Sequence, residues 1–431
     1  MKMGGFMKKV EKIAYTAAIT AIIWFPLINF LRYCHSLAHT GYYNYFKQTY
    51  LIYTLLPILF FNYLYAVLKK YFKITYTDIL IYILAITGII STIVAVDVKT
   101  SIFGEVIRYE GLISLFFYYL FFLNVKNIKK EKYKRNIMKA LIIAAAVQTI
   151  YGFLQAYTDY AFIQHFDKPH MAFGFLGNPN FYGSYMVMVC LFAVTLFLIR
   201  GGDGYFYLSL LFFSGLCLAN STGPFLGFAL AFVFLIITFF KRIKFVRLLC
   251  ITLAFVFLFF FLDKAVVFIQ NNIFYTKIEE NYNVKEEIVN SVTNISKKEI
   301  GNGRLKIWAN SIPLAKEYFW FGCGIDNFAK VYPHPRYRIY DKAHNIYLQM
   351  LVTNGIFALS TYCILCLIIF IKGFKLKKPF AIALFMAFVG YSIQAFANIS
   401  VIDVAPIFYI ILGLLYTYTP KKKKVLKIEE K

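Results

Sequence analysis

Acidic side chains are scarce in this 431-residue chain: 21 Asp and Glu stand against 46 Lys and Arg. Residues 32–50, the first connection between apolar runs, hold neither Asp nor Glu. That argues against an enzyme that gathers carboxylates around a divalent metal in this loop. Ionisable groups are nearly absent from the apolar runs as well; Asp78, Asp263 and Asp403 all fall at run ends. Transporters usually keep such groups near mid-membrane, so a polysaccharide or lipid transporter is the weaker reading. The glycine pairs GNG (301–303) and GCG (322–324) lack the strand–turn–helix surroundings of a nucleotide loop. The seven cysteines are odd in number, and Cys363 and Cys366 take a CxxC spacing inside ILCLIIF without a further ligand nearby. Small residues facing a helix or lipid account for them better than zinc does. No cleavable signal peptide is evident, because the apolar run after MKKVEK is long enough to stay as an anchor. There is no internal repeat and no low-complexity segment.

What the chain has in abundance is apolar surface: 60% hydrophobic and 20% aromatic residues, with mean hydropathy +0.63. A soluble domain is typically about 45–50% apolar, so the composition is that of an all-α, polytopic integral membrane protein. With about 20 residues needed per span, helices are expected near 13–31, 51–68, 77–95, 112–125, 138–157, 181–199, 205–219, 224–240, 247–263, 346–371, 379–396 and 404–419. That makes about twelve spans in a single transmembrane domain, 1–431, with one large loop, 264–345, before a late helix. The basic connections (Lys2 to Lys12, 69–73, 124–135, 241–247, 372–378 and the KKKK tail) all fall on one side of such a count. Excess Lys and Arg mark the cytoplasmic side, which puts both termini inside and 264–345 outside. The net charge of +25 is therefore topology, not a groove for nucleic acid. Outside the membrane neither ATP nor nucleotide sugars are at hand, so a donor has to arrive activated, on a lipid.

The outer segment concentrates the polar chemistry. Its first part, Gln270 to Ile300, is rich in Asn, Glu and Lys and is expected to extend the preceding helix and then act as a flexible connector. From Arg304 the pattern changes: Arg304, Trp308 and Ile312 share one face at i, i+4, i+8, as in a short helix lying on the membrane surface. Between Gly301 and Asn345 there are seven Lys and Arg but only three acids, Glu317, Asp326 and Asp341. Positive charge outside runs against the topology rule and asks for another cause. Arg304, Lys306, Arg336 and Arg338 either snorkel toward headgroups or clamp a diphosphate through bidentate guanidinium contacts. His344, at the mouth of a membrane helix, is either an interfacial histidine or a general base, since imidazole titrates near neutral pH. Arg108 is expected to pair with Glu105 or Glu110, or to point into a shared cavity. In GNPNFYGSY (177–185), Asn180 suits a helix N-cap.

At these residues the chain resembles the O-antigen ligase and O-antigen polymerase superfamily of bacterial membrane glycan transferases. The resemblance rests on Arg304 with Trp308, on Gly322, Gly324, Asp326 and Phe328, and on His344, Asn345, Tyr347, Leu348, Asn354 and Gly355. The segments 177–185 and 103–112 add to it, so that it spans roughly residues 100–350. It implies transfer of a glycan from polyprenyl diphosphate to an acceptor hydroxyl, without metal or cofactor, with a loop histidine as base and arginines on the diphosphate. His344 and Arg304 match those positions; Arg108, Arg336, Arg338, Trp308 and Asn345 are then substrate-binding candidates. The expected partners are the lipid-linked glycan donor, a glycan, lipid or protein acceptor, and the bilayer, in the bacterial plasma membrane. Ligases and polymerases share these motifs, so both remain open. One departure stands out. Many relatives carry an arginine after a Ser/Thr at the outer end of a middle helix, where this chain reads NSTGPFLG (220–227) with Gly223. A second clamp arginine then has to come from elsewhere, Arg108 being one choice.

Overall fold

The computed structural model describes residues 2–33, 46–106, 108–158, 171–269, 304–333 and 340–419. The expectations for 270–300, for Arg336 and Arg338 and for the basic tail fall outside the described residues. The helices are α1 (Lys2–Tyr33), α2 (Phe46–Leu68), α3 (Tyr76–Ile93), α4 (Val98–Phe103), α5 (Leu112–Val125), α6 (Glu131–Tyr157), α7 (Pro179–Ile199), α8 (Asp203–Leu218), α9 (Thr222–Phe239) and α10 (Phe245–Ile269). They continue with α11 (Arg304–Glu317), α12 (Phe328–Val331), α13 (Ile346–Gly373), α14 (Pro379–Gln394) and α15 (Ala405–Tyr418). Among the described residues nine helices are long and apolar enough to cross a membrane, and α5, α8 and α15 are shorter apolar helices. Together they coincide with the twelve expected spans.

The bundle is built around α7. A helix apolar on every side has no face for water or headgroups and goes to the middle. Accordingly α7 is buried along nearly its whole length, packed against α8, α9 and α14. By contrast α10 leaves Phe257, Phe260 and Phe261 exposed, the pattern of a helix facing lipid. The first turn of α7 corrects one expectation: Asn178, not Asn180, is the N-cap, accepting from the Asn180 amide at 2.9 Å, with Pro179 at the first helical position. Proline suits that place, where its missing N–H is not needed.

The basic connections meet at one end of the bundle. Glu11 in α1 accepts from the Lys129 amide at 2.6 Å, and Arg242 donates to the Leu376 carbonyl at 3.0 Å. Lys126, after α5, is buried with Asp78 at the start of α3, 2.5 Å apart. At the other end lies a second, smaller apolar cluster, where Ile307 and Leu314 of α11 pack with Phe328, Tyr332 and Val352. The buried stripe of α11 is thus Ile307, Ser311, Leu314 and Ala315. Ile312 of the expected face is 53% exposed, while Arg304 and Trp308 are half-buried.

That second cluster is keyed into the bundle by a break in α13. Gly355 has φ +80° and ψ 178° inside the helix, so the ladder opens there. The chain before α12 fills the gap: Cys323 N donates to Val352 O (2.9 Å), Gly324 N to Thr353 O (3.1 Å), and Ile356 N to Phe319 O (2.8 Å). A Cβ on Gly322 would meet the Thr353 carbonyl carbon at 2.2 Å, and one on Gly355 the Trp320 oxygen at 2.2 Å. Only glycine admits this backbone approach.

If the basic end faces the cytoplasm, a single cysteine at position 316, on exposed outer α11, reacts with an impermeant maleimide in intact cells. One at position 375, in the α13–α14 connection, then reacts only after lysis. The test needs a background lacking the native cysteines, and the opposite pattern reverses the orientation.

Candidate active site

Three parts converge at the end of the bundle away from the basic connections: the connection 96–106 and 108–111, the segment 322–333 and 340–345, and the neighbouring first turns of α7 and α9. The first two are stapled along their length. Val96 N donates to Cys323 O (2.9 Å), Asp97 N to Asn327 Oδ1 (3.0 Å), Ile325 N to Ser101 Oγ (3.0 Å) and Glu105 N to Asp326 Oδ2 (2.8 Å). Contacts separated by more than 200 residues in sequence thereby become local.

His344 has φ +52°, a left-handed conformation uncommon for a residue with a Cβ. Its neighbours hold it there. The Trp308 indole donates to Ala343 O at 3.0 Å, and Ala343 N donates to Gln349 Oε1 at 2.7 Å. Asn345 then caps α13, its Oδ1 accepting from Tyr347 N at 3.0 Å and Leu348 N at 3.1 Å. Trp308 and Asn345, expected to bind substrate, spend these atoms on fixing the histidine's backbone. The imidazole is half-buried and lies within electrostatic reach of the Asp341 carboxylate.

Arg108 corrects a second expectation. It pairs with neither Glu105 nor Glu110; its Nε donates to Asp341 Oδ2 at 2.7 Å, and its guanidinium sits 5.3 Å from the Phe181 ring centroid in the first turn of α7. Burial pushes the Asp341 carboxyl up, but the Arg108 guanidinium, with Lys342 and His344, holds it below the usual carboxylate range. Asp341 therefore stays ionised beside the histidine. Lys342 is buried between Asp326, to which it hydrogen-bonds directly, and Glu110, 3.6 Å away. Burial alone would lower the ammonium pKa; the carboxylates of Asp326 and Glu110 outweigh it and raise it. For Glu110 burial wins and the carboxyl is pushed up, although it also accepts from Ser400 (3.0 Å) and Tyr118 (3.2 Å).

Arg304 is different. No carboxylate pairs with it among the described residues, and burial alone pushes its pKa down. A Cβ on Gly223 would lie 3.4 Å from its Nη1 and 3.2 Å from Ala397 O. So the guanidinium stands over the start of α9, at the very position where the expected arginine of the middle helix is missing. The cap of α9 leaves its first amides without a side-chain acceptor: Ser221 donates instead to Asn180 Oδ1 at 2.5 Å. A helix start carries partial positive charge, and a guanidinium beside it adds to that charge. The pair forms a positive corner without a counter-ion among the described residues.

The O-Antigen ligase family model matches residues 207–363, from α8 into α13. That match, over little more than a third of the chain, supports the resemblance to the O-antigen ligase/polymerase superfamily. No curated protein matches the chain. The matched region includes Gly223, Arg304, Asp326 and His344, and leaves out Arg108 and Glu110. Sequence reasoning singled out His344 and Arg304 but passed over the charge group formed by Glu110, Asp326, Asp341 and Lys342. Glu110 and Asp326 lay inside quoted motifs, yet no spacing rule shows that a lysine 232 residues after Glu110 reaches it. Among the described residues no three His, Cys, Asp or Glu side chains gather where they could hold a metal ion.

Removing one member of a buried ionic group strands the others, at a cost of about 3–5 kcal/mol. Lys342→Met should therefore lower the thermal midpoint sharply. Combining it with Glu110→Gln and Asp326→Asn should restore most of the loss. A single variant as stable as the parent would show that the group carries no such strain.

Proposed function

We propose that this chain transfers a glycan from a polyprenyl diphosphate carrier to an acceptor hydroxyl at the outer face of a bacterial plasma membrane. The observation that carries the reading is the positive corner at Arg304 and the start of α9, half-buried and lacking a carboxylate partner among the described residues. An anion fits there for two physical reasons. Helix N-termini offer amide donors and partial positive charge, and a guanidinium gives planar, bidentate, charge-assisted bonds to phosphate oxygens. The family match supports a lipid-linked glycan as the class of substrate.

In this reading the carrier's diphosphate docks at Arg304, on the outer side of the membrane. His344 accepts the proton of the acceptor hydroxyl, whose oxygen attacks the anomeric carbon. The bond from that carbon to the diphosphate oxygen breaks, and polyprenyl diphosphate leaves with its charge held by Arg304. The ionised Asp341 stabilises the imidazolium that forms, and Arg108 keeps Asp341 in place. Trp308 and Asn345 position the histidine through its neighbouring backbone. The same steps serve a ligase, whose acceptor is a lipid or protein hydroxyl, and a polymerase, whose acceptor is another glycan.

His344→Ala should leave donor binding intact and cut turnover by about 10²–10⁴-fold, the usual contribution of a positioned acid–base group. Arg304→Lys should weaken donor binding, because an ammonium cannot reproduce the bidentate contact. Transfer from purified polyprenyl-diphosphate glycan in detergent, with donor binding followed separately and folding checked by thermal melting, distinguishes them. Near-normal turnover in a folded His344→Ala variant would remove the histidine from the mechanism.

A further inference from the structure

At the end of the bundle opposite His344, α1 and α2 leave a groove of about 400 Å³ open to the surroundings. One wall is a stripe of α1: Lys9, Lys12, Ile13, Thr16, Ala17 and Thr20, faced across the groove by Leu55 and Ile58 of α2. The spacing puts two ammonium groups and two hydroxyls on the same side as an apolar strip. Ile13 and Ile58 are 38% and 49% exposed, whereas Ala17 and Leu55 form the buried floor, so the open part of the strip is Ile13 and Ile58.

The two lysines form no ion pair among the described residues. The nearest acid in sequence, Glu11, is 5% exposed and directs its Oε1 to the Lys129 amide at 2.6 Å, on a different side of α1. Lys9 leans 5.5 Å from the Phe6 ring centroid, a contact that leaves its charge uncompensated by any carboxylate. The basic connections share this end, so the local potential is positive and a zwitterionic headgroup gains little from it. A ligand that fits has an anionic head at Lys9 and Lys12, hydroxyl-bonding atoms at Thr16 or Thr20, and an apolar chain lying over Ile13 and Ile58. We infer that this groove is a binding site for an anionic phospholipid of the adjoining leaflet. Basic pockets between membrane helices favour such headgroups, with about 1 kcal/mol per lysine near the surface.

The full chain, purified in neutral detergent, is titrated with dioleoyl phosphatidylglycerol, and bound lipid is counted by native mass spectrometry. Phosphatidylcholine and inorganic phosphate form the parallel arms. The site should retain phosphatidylglycerol in preference to phosphatidylcholine, and phosphate should compete poorly because it leaves the apolar strip uncovered. Lys9→Ala with Lys12→Ala should weaken phosphatidylglycerol roughly 25-fold, the product of roughly fivefold per charge. Lys69→Ala with Lys73→Ala, exposed charges at the same end, should leave it within about twofold of the parent. Ile58→Trp, with both lysines intact, should also weaken retention by filling the strip. Equal retention of the two lipids, effective competition by phosphate, or indifference to both the lysine pair and Ile58→Trp would each overturn the assignment.

Discussion

A buried ammonium, that of Lys342, is the constraint on which the candidate site depends. It cannot stay charged in an apolar setting alone, and it is answered by Asp326 from one segment and Glu110 from another. Those carboxylates bring further partners: Glu105 N on Asp326, and Tyr118 and Ser400 on Glu110. Four stretches of chain thus share one electrostatic centre. A buried ionic group is weak evidence of net stability, because desolvation offsets much of the attraction. Its use here is to fix register, since only one arrangement brings all of its members together. Beside it Asp341 is held ionised by Arg108, next to the strained backbone of His344.

Scarcity of acid gives this arrangement its consequence. The carboxylates of this charge group are taken, Glu110 and Asp326 by Lys342 and Asp341 by Arg108. Arg304 is left with none among the described residues, on the start of a helix whose cap hydroxyl points elsewhere. Nothing in the described structure neutralises that corner. A phosphate would, and the proposed chemistry needs one there.

The spans were legible because a bilayer sets helix length, and apolar runs of that length are visible without any tertiary knowledge. Even α5 and α15, short for a span, follow the runs expected at 112–125 and 404–419. Local chemistry was less legible. Asn178 and Asn180 are both good caps, and only the turn before Pro179 decides between them. GCG showed only that it is no nucleotide loop, and Asn354–Gly355 only a family likeness; that they interlock as backbone, Gly322 against Thr353 and Trp320 against Gly355, is a long-range fact. Arg108 had two acids beside it in sequence and chose a third, 233 residues away. Pairing of charges is decided by packing, and spacing carries no information about it at that range. Gly223, which looked like the loss of a clamp residue, turns out to border the one arginine that stands there.

The placement of the diphosphate at Arg304 and the start of α9 is tested most directly by the dissociation constant of polyprenyl diphosphate for Gly223→Asp and Gly223→Asn. Both side chains impose the same crowding beside Arg304 and Ala397 O; only aspartate supplies a carboxylate that competes for the guanidinium. The account predicts that Gly223→Asp loses at least about tenfold in affinity, roughly 1.4 kcal/mol, while Gly223→Asn stays within about threefold of the parent. Equal affinity for the two folded variants would contradict it.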